Sequence, residues 1–156
     1  MIDELYKKQP KLLLECESAL MDKGYDDKKL YEKLWDVYKI KPVIDIRNMW
    51  KDSDETRILE KYPNVVYDYQ GGVYCYPRLS SDKVPMAFGG FERKRNTLKY
   101  RCPAKQYGIE CPIKAYCSAR NGIRIALSTD RRIFTPLARS SYNEKKSIIS
   151  VPRWNG

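Results

Sequence analysis

The 156-residue sequence has no histidine at all. A soft-metal site in this chain would therefore have to be built from cysteine thiolates, with a carboxylate at most. Long apolar runs are missing too, since none approaches the roughly 18 residues of a membrane-crossing helix. The start, Met1-Ile2-Asp3-Glu4-Leu5, lacks the basic-then-apolar order of a signal peptide. These absences predict a cytoplasmic protein with no membrane partner. Cysteine is scarce, at five, and in a reducing compartment such residues serve more often as thiols or metal ligands than in disulfides. Repeats and low-complexity tracts are absent. The length suits one domain with a real core, or a core unit plus an appendage.

What is abundant is positive charge. Thirty Lys and Arg against 20 Asp and Glu give a net charge of +10 and a pI near 9.3, which points to a polyanion, nucleic acid before a membrane surface. Residues 1–64 hold 13 basic and 14 acidic side chains, whereas residues 65–156 hold 17 and 6. The first zone carries acidic groups and the second suits a phosphate backbone. Its basic clusters are Arg93-Lys94-Arg95 and Arg131-Arg132, with Arg120, Arg124 and Arg139 scattered nearby and tyrosines throughout. Such interleaving fits backbone tracking and base stacking, although a charge run also suits an ordinary solvated face.

Ser18-Ala19-Leu20-Met21 reads as a short buried strand closed by the turn Asp22-Lys23-Gly24-Tyr25-Asp26-Asp27. Gly24 lets the backbone swing sharply there, and Asp26 or Asp27 can cap the next helix. A carboxylate at the carboxyl end of such a strand sits where α/β sheets bind ligands and metals. Asp22 is equally suited to being no more than a turn residue. Upstream, Asp3 to Leu14 reads as helix broken before Pro10. Downstream, Leu30, Tyr31, Leu34, Trp35 and Tyr38 make the apolar stripe of a helix of about three turns, with the aromatics read as core. Pro42-Val43-Ile44-Asp45-Ile46 follows as a second strand. Strand, helix and strand with brief links imply a right-handed crossover and a parallel pair, with Asp22 and Asp45 on neighbouring strands.

From Val65 the pattern changes to short strands. Val65 to Tyr69 and Val73 to Tyr76 flank Gly71-Gly72 as a hairpin, and Met86-Ala87-Phe88, Leu98 to Arg101 and Ile123 to Leu127 are further β candidates. Cys75, Cys102, Cys111 and Cys117 fall inside this stretch. Cys102-Pro103, Gly108-Ile109-Glu110-Cys111-Pro112 and Cys117 resemble turns in which a Gly- or Pro-bearing loop presents a thiolate. With little apolar content around them, a tetrahedral four-thiolate zinc site would supply core energy the stretch lacks. The spacings are wider than a compact two-residue knuckle, and four unligated thiols are the other reading. Cys16 stands apart as a small buried residue.

In this order, Asp22-Lys23-Gly24-Tyr25-Asp26, the helix after it, Ile40-Lys41-Pro42-Val43-Ile44-Asp45-Ile46-Arg47, Gly90-Phe91-Glu92, Leu98-Lys99-Tyr100-Arg101-Cys102-Pro103 and Asp130-Arg131-Arg132-Ile133-Phe134-Thr135-Pro136 resemble the DDE transposases of bacterial insertion sequences, over about Ser18 to Tyr142. The resemblance implies an α/β, ribonuclease-H-like unit in which Asp, Asp and Glu hold two Mg²⁺ or Mn²⁺ ions for DNA strand cleavage and transfer. Asp22 matches the second Asp and would be both catalytic and a metal ligand. The implied layout is a partial ribonuclease-H-like strand-helix-strand core over 1–62, a β-rich, basic, Cys-containing insertion with the candidate zinc site over 63–139, and a divergent or truncated tail over 140–156. DNA binding would fall to Arg93, Lys94, Arg95, Arg131, Arg132 and Arg139. The implied partners are DNA at the element ends and a full-length transposase, in the nucleoid of a bacterial cytoplasm.

Two of the three family carboxylates have no counterpart in this sequence. Asp3 and Glu4 fall in an expected helix, and Glu144 is not placed as the final Glu would be. The expectation is an internal piece of a transposase, the product of a truncated or frameshifted element, that does not cut DNA alone. The alternative, from another class, is a small basic zinc protein that binds nucleic acid or regulates, without that ancestry.

Overall fold

Pro10 divides the N-terminal helix as expected, because its ring disfavours helix in the residue before it. In the computed structural model, which describes residues 1–77 and 82–141, α1 (Ile2–Lys8) and α2 (Pro10–Glu15) are separated by Gln9 at φ −142°, ψ 68°. All but the first two residues of the tail expected over 140–156 lie outside the described residues. Ile2 and Leu13 anchor the two helices against Tyr31, Leu34, Ile40 and Ile44.

Strands β1 (Ser18–Met21) and β2 (Lys41–Ile44) pair in parallel, with Met21 opposite Ile44. The reading of β1 as a buried strand is corrected: Leu20 is 40% exposed and its neighbours are half-buried, whereas Val43 and Ile44 of β2 are buried. Among the described residues β1 has β2 as its single sheet neighbour, so its outer edge gains no cover from a further strand. The connecting helix starts as α3 (Lys28–Glu32) and widens into a π turn over Lys33–Val37. That turn sends Leu34 into the small core of the α/β unit and Trp35 into a second, larger core.

The larger core belongs to two antiparallel sheets. One has the order β3 (Arg57–Leu59), β4 (Tyr62–Tyr67), β5 (Val73–Cys75), β6 (Val84–Pro85); the other places β8 (Thr97–Arg101) between β7 (Ala87–Glu92) and β9 (Ile123–Ala126). The β4–β5 hairpin turns on Asp68, whose carboxylate accepts the Gly72 N–H at 2.8 Å and the Tyr74 hydroxyl at 2.9 Å, with Gly71 at φ 81°. Val65, Val73, Leu98, Ile123, Ile125, Leu127, Ile133 and Phe134 are all buried together. The expectation that this stretch lacks core material therefore fails. Its apolar residues alternate along β5, β8 and β9, so average content is low while one face of those strands is buried. At about 1.5–3 kcal/mol for each large side chain fully buried, such a face supports itself.

The architecture is mixed α/β, with several sheets and few helices. Among the described residues no helix is long and apolar enough to cross a membrane. Strand β3 and the short helix α4 (Pro103–Tyr107) were not legible beforehand: β3 has no alternation, since Arg57 and Ile58 are both exposed, and α4 is a single turn opened by Pro103 and closed by Gly108 at φ 66°.

Candidate functional site

The parallel pair brings its two carboxyl ends side by side. Asp22 follows β1 and Asp45 follows β2, and the Asp45 N–H donates to the Met21 carbonyl at 3.2 Å. The exposed Asp22 carboxylate accepts the Gly24 N–H at 2.8 Å, which is the capping role open to any turn Asp. Asp45 lies 3.6 Å from the Lys23 ammonium, with both side chains more than half exposed. The neighbouring strand ends expected for Asp22 and Asp45 are thus present. The two-ion carboxylate cluster is another matter: among the described residues no three Asp, Glu, His or Cys side chains stand together to hold a metal. Asp22 and Asp45 alone do not fit two cations.

Behind these exposed carboxylates lies a buried one that sequence reasoning assigned to capping. Asp26 is 1% exposed and binds Arg132 through two contacts, one of them Nε to Oδ1 at 2.9 Å. It also accepts the Arg47 N–H at 2.8 Å and the Tyr31 hydroxyl at 3.3 Å. Arg139 completes the set, donating to Tyr31 Oη at 2.7 Å, to the Ile44 carbonyl at 2.7 Å and to the Arg132 carbonyl at 2.8 and 3.0 Å. Burial raises the Asp26 pKa, but the Arg132 and Arg47 hydrogen bonds and the Arg132 charge outweigh it and hold the carboxyl below its ordinary range. Burial likewise pushes the Tyr31 hydroxyl up to about 12. This network fastens residues 130–141 to the end of the parallel pair. Asp27 takes the helix N-terminus instead, without a side-chain bond.

No family model, curated protein or solved structure matches the chain.

The six expected DNA-binding residues fall into two groups. Arg93, Lys94 and Arg95 form the exposed turn between β7 and β8, where Arg93 lies 5.6 Å over the Trp35 ring and Arg95 lies 3.7 Å from Glu92. Arg131 pairs with Asp36, while Arg132 and Arg139 spend their guanidinium groups on the interior network. That second group positions the chain on itself. No local signal could have found it, because the partners lie 85 to 108 residues away.

All five cysteines are free thiols. Cys16 donates to the Ser18 carbonyl, apart from the rest. Cys75, Cys102 and Cys111 line one small cavity of about 10 Å³, and the Asn64 amide, buried in β4, donates to Cys75 Sγ at 3.5 Å and Cys117 Sγ at 3.3 Å. The Ala119 N–H also donates to Cys117 Sγ at 3.3 Å. Burial first, then neighbouring Cys117, Cys102 and Cys111, push the Cys75 thiol up to about 12. Thiolates are donors that suit zinc, but among the described residues no three of these cysteines stand together to hold a metal.

Proposed function

We propose that this chain is a DNA-binding piece of a DDE transposase of the insertion-sequence type, ribonuclease-H-like in its first part and catalytically incomplete by itself. The observation that carries the reading is the end of the parallel pair, where Asp22 follows the first strand in Asp-Lys-Gly-Tyr-Asp and the Asp130 to Pro136 segment returns to the same place through Arg132 and Asp26. Two separate stretches of the resemblance, over 100 residues apart, thereby meet. The basic β-rich unit supplies the affinity for DNA at element ends, and a full-length transposase is the partner that would carry the remaining carboxylates. The setting is the bacterial nucleoid. The test is binding of the purified chain to labelled DNA at 50 mM salt, together with a search for metal-dependent nicking. Absence of DNA binding would remove the reading.

A second reading has its own support. The thiols of Cys75, Cys102 and Cys111 lining a cavity of about 10 Å³, with Cys117 joined to Cys75 through Asn64, favour a zinc-containing nucleic-acid-binding or regulatory protein. Metal analysis of protein purified without chelator separates it from the first: that reading does not require zinc, whereas this one fails without it.

A further inference from the structure

The three-stranded sheet has one face in the core and one outside. Leu98, Tyr100, Ile123 and Ile125 point inward and are buried, so the alternation of the strands sends Lys99, Arg101 and Arg124 outward. Lys99 and Arg124 are cross-strand partners, and Arg101 follows Lys99 on the same face of β8. Around these long cations the neighbours are small. Ala87 lies opposite Arg101 on β7 and Gly90 opposite Lys99, while a β carbon on Gly89 would meet Arg101 Cγ and Lys99 Cβ at 3.5 Å. Gly122, at φ 88°, leads into β9, and a β carbon there would stand 2.7 Å from the Tyr100 carbonyl oxygen. No bulky side chain from these flanks covers the charges.

The result is a shallow trough. One cavity of about 310 Å³ is lined by Gly89, Lys99, Arg101, Asn121, Gly122 and Arg124 among others, and a second of about 360 Å³ by Arg101, Cys102, Lys105, Gln106 and Asn121. Arg101 and Asn121 belong to both, so the trough is continuous along β8 into α4. Among the described residues the carboxylate that pairs with these cations is Glu92 at the hairpin end, which Arg124 meets at 2.9 Å and Lys99 and Arg95 at 3.7 Å. At the opposite end Arg101 donates to the neutral Gln106 amide, and among the described residues neither Arg101 nor Lys105 pairs with a carboxylate. Tyr107 and Tyr116, 56% and 92% exposed, flank this end in sequence.

Resting on the DNA-binding reading above, we infer that the outer face of β7, β8 and β9 is where a nucleic-acid phosphate backbone lies, running from the Arg93-Lys94-Arg95 turn over Lys99 and Arg101 to Lys105 and Asn121. Cations in a row on a pleated strand, open to solvent and short of carboxylates, meet successive phosphates and take no account of base sequence. Tyr107, exposed at the end of α4, offers a stacking surface to an unpaired base there.

The experiment measures affinity for a labelled duplex and a labelled single strand across salt concentrations, for the wild-type chain, for Arg101→Gln/Lys105→Gln, and for Lys7→Gln/Lys8→Gln on α1 as a control of equal charge change. Loss of two phosphate contacts should flatten the slope of log affinity against log salt by about 1.8 for duplex or about 1.4 for single strand, with the control unmoved. Their ratio tells which form the face prefers. If the wild type binds and Arg101→Gln/Lys105→Gln binds as well as it, or the control weakens equally, the face is wrong and the DNA-binding reading survives. If the wild type binds neither probe, both fall. Circular dichroism melts confirm folding, and Lys99→Gln/Lys105→Gln replaces the first variant if that one does not melt cooperatively.

Discussion

The Asp26 carboxylate and the Arg132 guanidinium, 106 residues apart in the chain, meet in a buried pair. Arg132 also donates to the Arg47 carbonyl at 2.9 Å, and the Arg47 N–H donates to Asp26, so the pair closes a ring through the backbone just past β2. The segment that returns in this way carries Phe134, which packs edge-on against Tyr67 in the larger core with ring centres 5.1 Å apart. The pair therefore couples the α/β unit to the β-rich unit.

Removing one partner leaves a buried charge without its counter-ion. Asp26→Asn should cost about 3–5 kcal/mol in denaturant unfolding, and Asp26→Asn/Arg132→Met less than the two single changes together. The pH dependence follows from the depressed carboxyl: its folded pKa lies below the unfolded value of about 3.9, so its stabilisation is present above about pH 4 and fades as pH falls through the folded value. Acid titration of wild type and Asp26→Asn should show curves that converge below pH 4. Parallel curves down to the acid limit would show that the pair adds nothing.

The isolated chain should not nick DNA with Mg²⁺ or Mn²⁺. Two cations about 3.5–4 Å apart need several carboxylate oxygens at fixed positions, whereas Asp22 is occupied with the Gly24 N–H and Asp45 stands by Lys23. Supercoiled plasmid incubated with either ion should stay intact. Nicking that is abolished in Asp22→Ala, while folding persists, would mean that further ligands reach Asp22.

Local pattern carried much of this fold. The Pro10 break, the parallel pair, the Gly71-Gly72 hairpin and the strands around Leu98 and Ile123 all follow from alternation, turn residues and proline geometry, which act over a few positions. Asp22 at a strand end was legible for the same reason. Asp26 was not, because a buried Asp and a capping Asp look alike until Arg132 arrives from the far end of the chain. The apolar stripe marks Trp35 as core, but its entry into the other core depends on a π turn that no residue type announces. Arg132 and Arg139 counted as surface charge in any composition argument, although their positions inside the network remove them from it.

DNA binding should be steeply salt-dependent. With the β7–β8 turn and the trough beside it, six phosphate contacts would give a slope of log affinity against log salt of about −5 on duplex DNA. Charge reversal at Arg93, Lys94 and Arg95 should make that slope shallower by about 2–3 without changing sequence preference, since these side chains sit on an exposed turn. An isotherm indifferent to salt would rule out an electrostatic origin for the affinity.

Zinc, if held by Cys75, Cys102, Cys111 and Cys117, would draw their sulfurs from around the cavity and Asn64 to about 2.3 Å from the metal. Protein purified without chelator should then contain one zinc per chain, Cys111→Ser should lose it, and Cys16→Ser, remote from the cluster, should keep it. Because the core that holds Cys75 consists mainly of apolar side chains such as Val65, Leu98, Ile123 and Phe134, the β signal in circular dichroism should survive Cys111→Ser, with only the melting temperature falling. This separates a zinc that clamps α4 and the turns around Cys111 and Cys117 from one on which the whole unit depends. Collapse of the β signal on chelation would show that the core is too weak alone, and a metal-free protein whose melting is unmoved by Cys111→Ser would leave the four cysteines as ordinary unligated thiols.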